Sequence, residues 1–91
     1  VANRHASAIK RNRQNEKRRE RNRTVRSKVR TEVRKVREAV VSKDAAAAGS
    51  ELKLAIKALS KAASKGVLHK NAASRRIARL SKQVAALSRA S

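Results

Sequence analysis

Proline is absent from this chain and glycine occurs only at Gly49 and Gly66, so its 91 residues meet almost nothing that stops a helix. Ala, Lys, Arg, Leu, Glu and Gln supply strong helix propensity between these points. An all-α fold is the expectation. The few start and stop signals then set the number of helices. Asn3 or Ser7 offers a first N-cap, and no breaker follows until about Ser42, which allows a rod on the order of 50 Å long. Asp44 offers a second N-cap, with its negative charge at the positive end of the helix dipole. Gly49 weakens the start of that helix, leaving the alanine run at 45–48 open between helix and frayed turn. Lys65 and Gly66 end it, with Gly66 suited to the left-handed position after the last turn and Val67 or Leu68 to the accompanying hydrophobic contact. A third helix follows the connection His69-Lys70-Asn71.

Each helix carries an apolar stripe. In the first, Val25, Val29, Val33, Val36 and Val40 recur at steps of four, four, three and four. In the second the stripe is Ala45, Ala48, Leu52, Ala55, Ile56, Leu59 and Ala63, with Leu54 left outside it. In the third it is a heptad of Ala73, Ile77, Leu80, Val84 and Leu87. Three such stripes joined by short connections bury one another most simply as an up-down-up three-helix bundle. Phe, Trp, Tyr, Met and Cys are all absent, so the core must be small and aliphatic.

The valine stripe fails toward the N-terminus. Asn22, Arg18, Asn15 and Arg11 occupy the positions where it would continue. Residues 10–23 are polar on every face and have nothing with which to pack on protein. One domain is therefore expected over 1–91, divided into a basic N-terminal projection at 1–24 and a bundle at 25–91. In the free chain the stretch up to about Arg23 is expected to be largely disordered, becoming helical when a partner covers it.

Charge identifies that partner. The chain has 26 basic and 6 acidic residues, a formal net charge of +20. Eleven Lys or Arg fall between positions 10 and 30, against Glu16 and Glu20 alone. Like charges at helical spacing repel by a few tenths of a kcal/mol, about 0.2–0.5 per pair, and solvent gives no reason to accumulate them. A polyanion does, because phosphates displace their counterions onto these cations. Arg outnumbers Lys in the segment, and its planar fork fits phosphate oxygens. The ladder Lys53, Lys57, Lys61 on the second helix reads instead as a solvated face. Residues 65–91 add seven basic groups and no acid. In an up-down-up bundle the first and third helices run parallel, so the projection and the turn at 65–71 are expected toward one end, or one side, of the molecule, as a composite basic surface.

The missing aromatics set the mode of recognition. Single-strand readers stack bases on Phe, Tyr or Trp, and this chain has none. Folded duplex RNA, read through phosphates, 2′-hydroxyls and shape, is the expected target, with a minority of base-edge contacts from Asn3, Asn12, Gln14, Asn15, Asn22 or Asn71.

Several classes are set aside. No apolar run approaches the roughly 20 residues of a membrane span, and the first residues lack the apolar block of a secretory signal. Without cysteine there is no disulfide or thiolate chemistry. His5 and His69 are far apart and have no acid cluster beside them, so no metal site is expected; His69 is read as touching RNA or capping the third helix. No nucleophile set, carboxylate pair or glycine-rich phosphate loop can be assembled, and neither enzyme activity, a cofactor nor a small-molecule substrate is expected.

Two blocks carry a family resemblance: Ala2-Asn3-Arg4-His5-Ala6-Ser7-Ala8-Ile9-Lys10-Arg11-Asn12-Arg13-Gln14, and Gly66-Val67-Leu68-His69-Lys70-Asn71-Ala72-Ala73-Ser74-Arg75-Arg76. The chain resembles the bacterial small-subunit ribosomal protein family S-twenty over nearly its whole length, the middle at 41–60 matching only in being helical and alanine-rich. The resemblance implies a bundle with an extended first helix that binds small-subunit (16S) ribosomal RNA in the cytoplasm, near other ribosomal components, and supports 30S assembly. The RNA-contacting residues it implies are Asn3, Arg4, Ser7, Lys10, Arg11, Arg13, Gln14, Lys17, Arg18 and Arg21, then His69, Lys70, Asn71, Arg75, Arg76 and Arg79.

The competing class is a DNA-binding architectural or basic-zipper-like protein, since a basic helix runs into Val29, Val33, Val36 and Val40. Its seam spans about two heptads and lacks the leucine ladder of a stable dimer, so a homo-oligomer is not expected. A cationic membrane-active helix is weaker still, because the most basic stretch has no apolar face to insert.

Overall fold

The computed structural model describes the backbone of residues 2–90 and the side chains of residues 8–89. It contains three helices, α1 (Ala2–Val41), α2 (Ala45–Ser64) and α3 (Lys70–Ala90), and no strand among the described residues. The arrangement is the up-down-up bundle expected. α1 starts at Ala2, so Asn3 and Ser7 lie inside it rather than capping it, and its helix passes without interruption through the stretch expected to be coil in the free chain. No proline or glycine interrupts that stretch, and its residues are compatible with helix throughout.

Both connections are made by local chemistry. At the end of α1, Lys43 N–H donates to the Val40 carbonyl (3.1 Å) and Asp44 N–H to the Ala39 carbonyl (3.0 Å), a Schellman ending with Lys43 in the left-handed region at φ 58°. The same Asp44 then caps α2, its side chain accepting from Ala47 N–H at 3.1 Å. One residue thus closes one helix and opens the next. At the end of α2, Gly66 sits at φ 77°, its N–H donating to the Ala63 carbonyl (3.1 Å) and that of Val67 to the Ala62 carbonyl (2.9 Å). Val67 is buried against the core, as the cap motif requires.

The core is aliphatic and half alanine: Val29, Val36, Ala39, Ala48, Ala55, Ala58, Leu59, Ala62, Val67, Ala73, Leu80 and Val84. Leu59 and Val36 are the largest fully enclosed side chains. On α1 the valine stripe divides into buried Val29 and Val36 and partly buried Val25, Val33 and Val40. On α3 the heptad packs inward, with Ile77 and Leu87 at its margin. The burial on α2 differs from the stripe expected. Ala58 and Ala62 are enclosed, whereas Ala45, Leu52, Ile56 and Ala63 are only half-buried. The reason is position: α1 and α3 each pack chiefly on α2 and only lightly on each other, so α2 is covered on two sides. Small residues at 48, 55, 58 and 62 suit close approach from both.

Burial stops where the valines stop. Every residue from 8 to 21 is exposed, and Val29 is the first fully buried side chain. The molecule measures 69 × 21 × 14 Å with a radius of gyration of 18.3 Å, against about 12 Å for a compact chain of this length. The excess is α1 reaching past its bundle.

Two glycine replacements are expected to act in opposite directions. A Cβ at Gly49 meets nothing within 4 Å, and Gly49→Ala removes a mid-helix glycine, raising stability by about 1 kcal/mol. Gly66 also has room but adopts positive φ, so Gly66→Ala costs about 1–2 kcal/mol. Urea unfolding of the two variants reads both signs. Amide exchange is expected to follow burial along α1, with residues 8–21 exchanging much faster than 29–40.

Candidate nucleic-acid interface

The exposed part of α1 has no carboxylates holding its cations. Among the described residues two ion pairs form, Arg34 Nε to Glu38 Oε1 at 3.7 Å and Lys35 Nζ to Glu32 Oε1 at 4.0 Å, both within the bundle stem. None of the eleven cations between 10 and 30 has an acid within 4 Å. Glu16 and Glu20, four residues apart, share one side of the helix with Arg13 beside Glu20, and Lys17, Lys10, Arg21, Gln14, Arg18 and Arg11 follow round the adjoining side. All are exposed. Asn3, Arg4 and Ser7 lie outside the residues whose side chains are described.

The second block is presented by the α2–α3 turn. The Schellman ending at Gly66 turns Val67 inward, and the chain then emerges at His69, Lys70 and Asn71, all exposed. His69 starts α3: its carbonyl accepts from Ala73 N–H at 3.0 Å and its Nδ1 from Asn71 N–H at 3.1 Å. An accepting Nδ1 carries no proton, which leaves the ring proton on Nε2 as an outward donor. Arg75, Arg76 and Arg79 follow on the exposed part of α3. Because α2 runs back along α1, this turn lies at the bundle end from which α1 projects, and the two blocks share that end.

The structure also brings together residues that the sequence reading left apart. Arg30, Val33, Arg34 and Arg37 of α1 face Arg76, Arg79, Leu80 and Gln83 of α3 across a groove of about 470 Å³. Five arginines line it and no acid does. Arg76 and Arg79 were expected at a site; Arg30, Arg34 and Arg37 were not. Their spacing of four and three, one position after Val29, Val33 and Val36, marks them as the flank of the valine stripe. A shallower patch of Arg19, Asn22, Arg23, Arg26 and Arg30 adjoins the groove through Arg30.

A small aliphatic bundle that leaves most of its described cations unpaired, on an arm and in an arginine-lined groove, defines a strongly basic helical scaffold protein. A family model described as Ribosomal protein S20 matches residues 2–85. Relatives named small ribosomal subunit protein bS20 include one from Anaeromyxobacter sp. (strain K), 57% identical over 80 residues and covering 88% of both chains. Another, from Trichlorobacter lovleyi, is 53% identical over 80 residues, covering 88% of this chain and 92% of its own. A third, from Syntrophobacter fumaroxidans, is 48% identical over 83 residues, covering 91% and 96%. The chain belongs to the ribosomal protein S20 family, as its two sequence blocks implied, and its role is structural, within the ribosome, rather than enzymatic.

The cap role of His69 is separable from its exposure. His69→Ala is expected to lower stability by up to about 1 kcal/mol through loss of the cap, whereas Lys70→Ala and Arg75→Ala, whose side chains are exposed and outside any ion pair, stay within about 0.5 kcal/mol. Thermal unfolding of the free variants distinguishes the two cases.

Proposed function

We propose that this protein binds 16S ribosomal RNA directly and thereby supports assembly of the 30S subunit in the cytoplasm. The observation that carries the reading is the arm: residues 8–21 are all exposed, strongly basic and without ion-pair partners. Self-repulsion along such an arm is relieved when RNA phosphates replace its counterions. The relatives' name, small ribosomal subunit protein, supports the choice of RNA.

In this reading, residues 1–24 are the projection and 25–91 the bundle that holds its angle. Lys10, Arg11, Arg13, Lys17, Arg18 and Arg21 meet phosphates on several sides, Gln14 adds a neutral donor, and Asn3, Arg4 and Ser7 extend the contact. His69, Lys70, Asn71, Arg75, Arg76 and Arg79 form the second contact near the base of the arm. Recognition is of backbone and shape, since there is no aromatic side chain on which a base could stack. What weighs against the zipper alternative is that Val29 and Val36, two residues of its seam, are enclosed by the chain's own helices.

Filter binding of the free chain to 16S RNA across a salt series tests this. Ten phosphate contacts give a slope of log K against log salt of about −7 to −9. Neutralising Arg11, Arg13 and Lys17 to Gln is expected to flatten it by about 2 to 3. A dimer that prefers duplex DNA, or a chain missing from salt-washed small subunits, would overturn the proposal.

A further inference from the structure

The arginines of α1 that lie outside the expected contact residues are not scattered. Arg19, Arg23, Arg26, Arg30, Arg34 and Arg37 recur at steps of four, three, four, four and three, which places all six on one side of the helix. Eighteen residues of helix make this stripe about 27 Å long. It starts on the arm, passes through the patch that ends at Arg30, and enters the groove where Arg76 and Arg79 of α3 form the opposite wall.

That groove lies on the weakest seam of the bundle. α1 and α3 touch each other far less than either touches α2. Uncompensated positive charge lines both walls, with Glu38 drawing only Arg34 aside at 3.7 Å. In the free protein these like charges oppose closure of α3 on α1. A phosphodiester backbone seated between the walls reverses the sign, because each phosphate attracts both.

We propose that the groove is an RNA-backbone clamp: a strand of ribosomal RNA following the arginine stripe enters between α1 and α3 and fastens α3 to α1, so that RNA binding tightens the α1–α3 seam of a bundle already packed through α2. The proposal rests on the reading that the chain binds RNA, and adds a place and a structural consequence. Arg30 and Arg37 hold the strand from one side, Arg76 and Arg79 from the other, and Gln83 offers an uncharged donor at the groove's edge.

Three variants of the full chain test this with a 16S RNA transcript. Arg30→Gln/Arg37→Gln removes one wall while sparing the Arg34–Glu38 pair; Arg76→Gln/Arg79→Gln removes the other; the third variant combines all four changes. Each double variant is expected to weaken binding on the order of tenfold. The combination is expected to be little weaker than either, because one missing wall already opens the clamp. Hydrogen exchange supplies a second readout. RNA is expected to slow amide exchange in α3 of the parent chain, and Arg30→Gln/Arg37→Gln, which leaves α3 unaltered, to lose that slowing. Melting of the free variants at or above the parent temperature shows that the fold is intact. Losses that multiply to about a hundredfold, with α3 protection retained, would mean independent contacts and overturn the clamp. Variants that bind like a parent with steep salt dependence would overturn it too, while leaving RNA binding in place. A parent that does not bind the transcript would remove both.

Discussion

Everything in this molecule depends on where one row of valines ends. Among the described residues of α1, Val29, Val36 and Ala39 are the buried ones, and they hold the helix against an α2 surface made chiefly of alanine. Burying a Val or Leu is worth about 1.5–3 kcal/mol, and a core of this size has few of them. The stem is therefore just long enough to fix the direction of α1. From Arg21 back to Ala8 the helix is exposed throughout, and its charge is left outside the core.

That separation resolves a conflict between folding and binding. A chain at +20 repels itself, which opposes a compact state, yet binding a polyanion needs the same charge close together. Placing the densest charge on an arm moves like charges away from the core, at the cost of a helix held by local propensity alone. The rest lies in the flanks of the stripes, where Arg30, Arg34 and Arg37 follow the valines by one residue and Arg76 and Arg79 flank Ile77 and Leu80. There the charge cannot be moved away. It sits on the seam that packs least, so it is also where an anion has most effect on the bundle.

What was legible in the sequence was what is decided locally. Asp44, Gly66 and the heptad of α3 act through neighbours within a turn or two, and each performs the expected part. The arm was legible for the same reason, since a helix face without apolar residues is visible in one helix alone. Three features were not. The enclosure of Ala58 and Ala62 depends on α2 being covered twice, and alanine carries no pattern that distinguishes a covered side from an open one. The left-handed turn at Lys43 uses a residue that ordinarily disfavours it, held there by two carbonyls of α1 and the capping of α2 by Asp44. The arginine groove needs two flanks whose arginines lie 39 to 49 residues apart in sequence to face each other, and only the packing angle of α1 and α3 on α2 decides that.

The groove also changes how the second contact block should be understood. Read along the sequence, His69 to Arg79 is one stretch of basic helix start. In the fold it divides: His69, Lys70 and Asn71 belong to the turn at the base of the arm, whereas Arg76 and Arg79 face Arg30, Arg34 and Arg37 further up the bundle. His69 is committed to the backbone of α3 through Nδ1, so the turn is shaped before any partner arrives. Apart from Arg34, which pairs with Glu38, the arginines have no such commitment. A backbone that reaches both must cross the bundle obliquely from the turn to the groove, and the arginine stripe of α1, running from Arg19 to Arg37 alongside, supplies positive charge along that route.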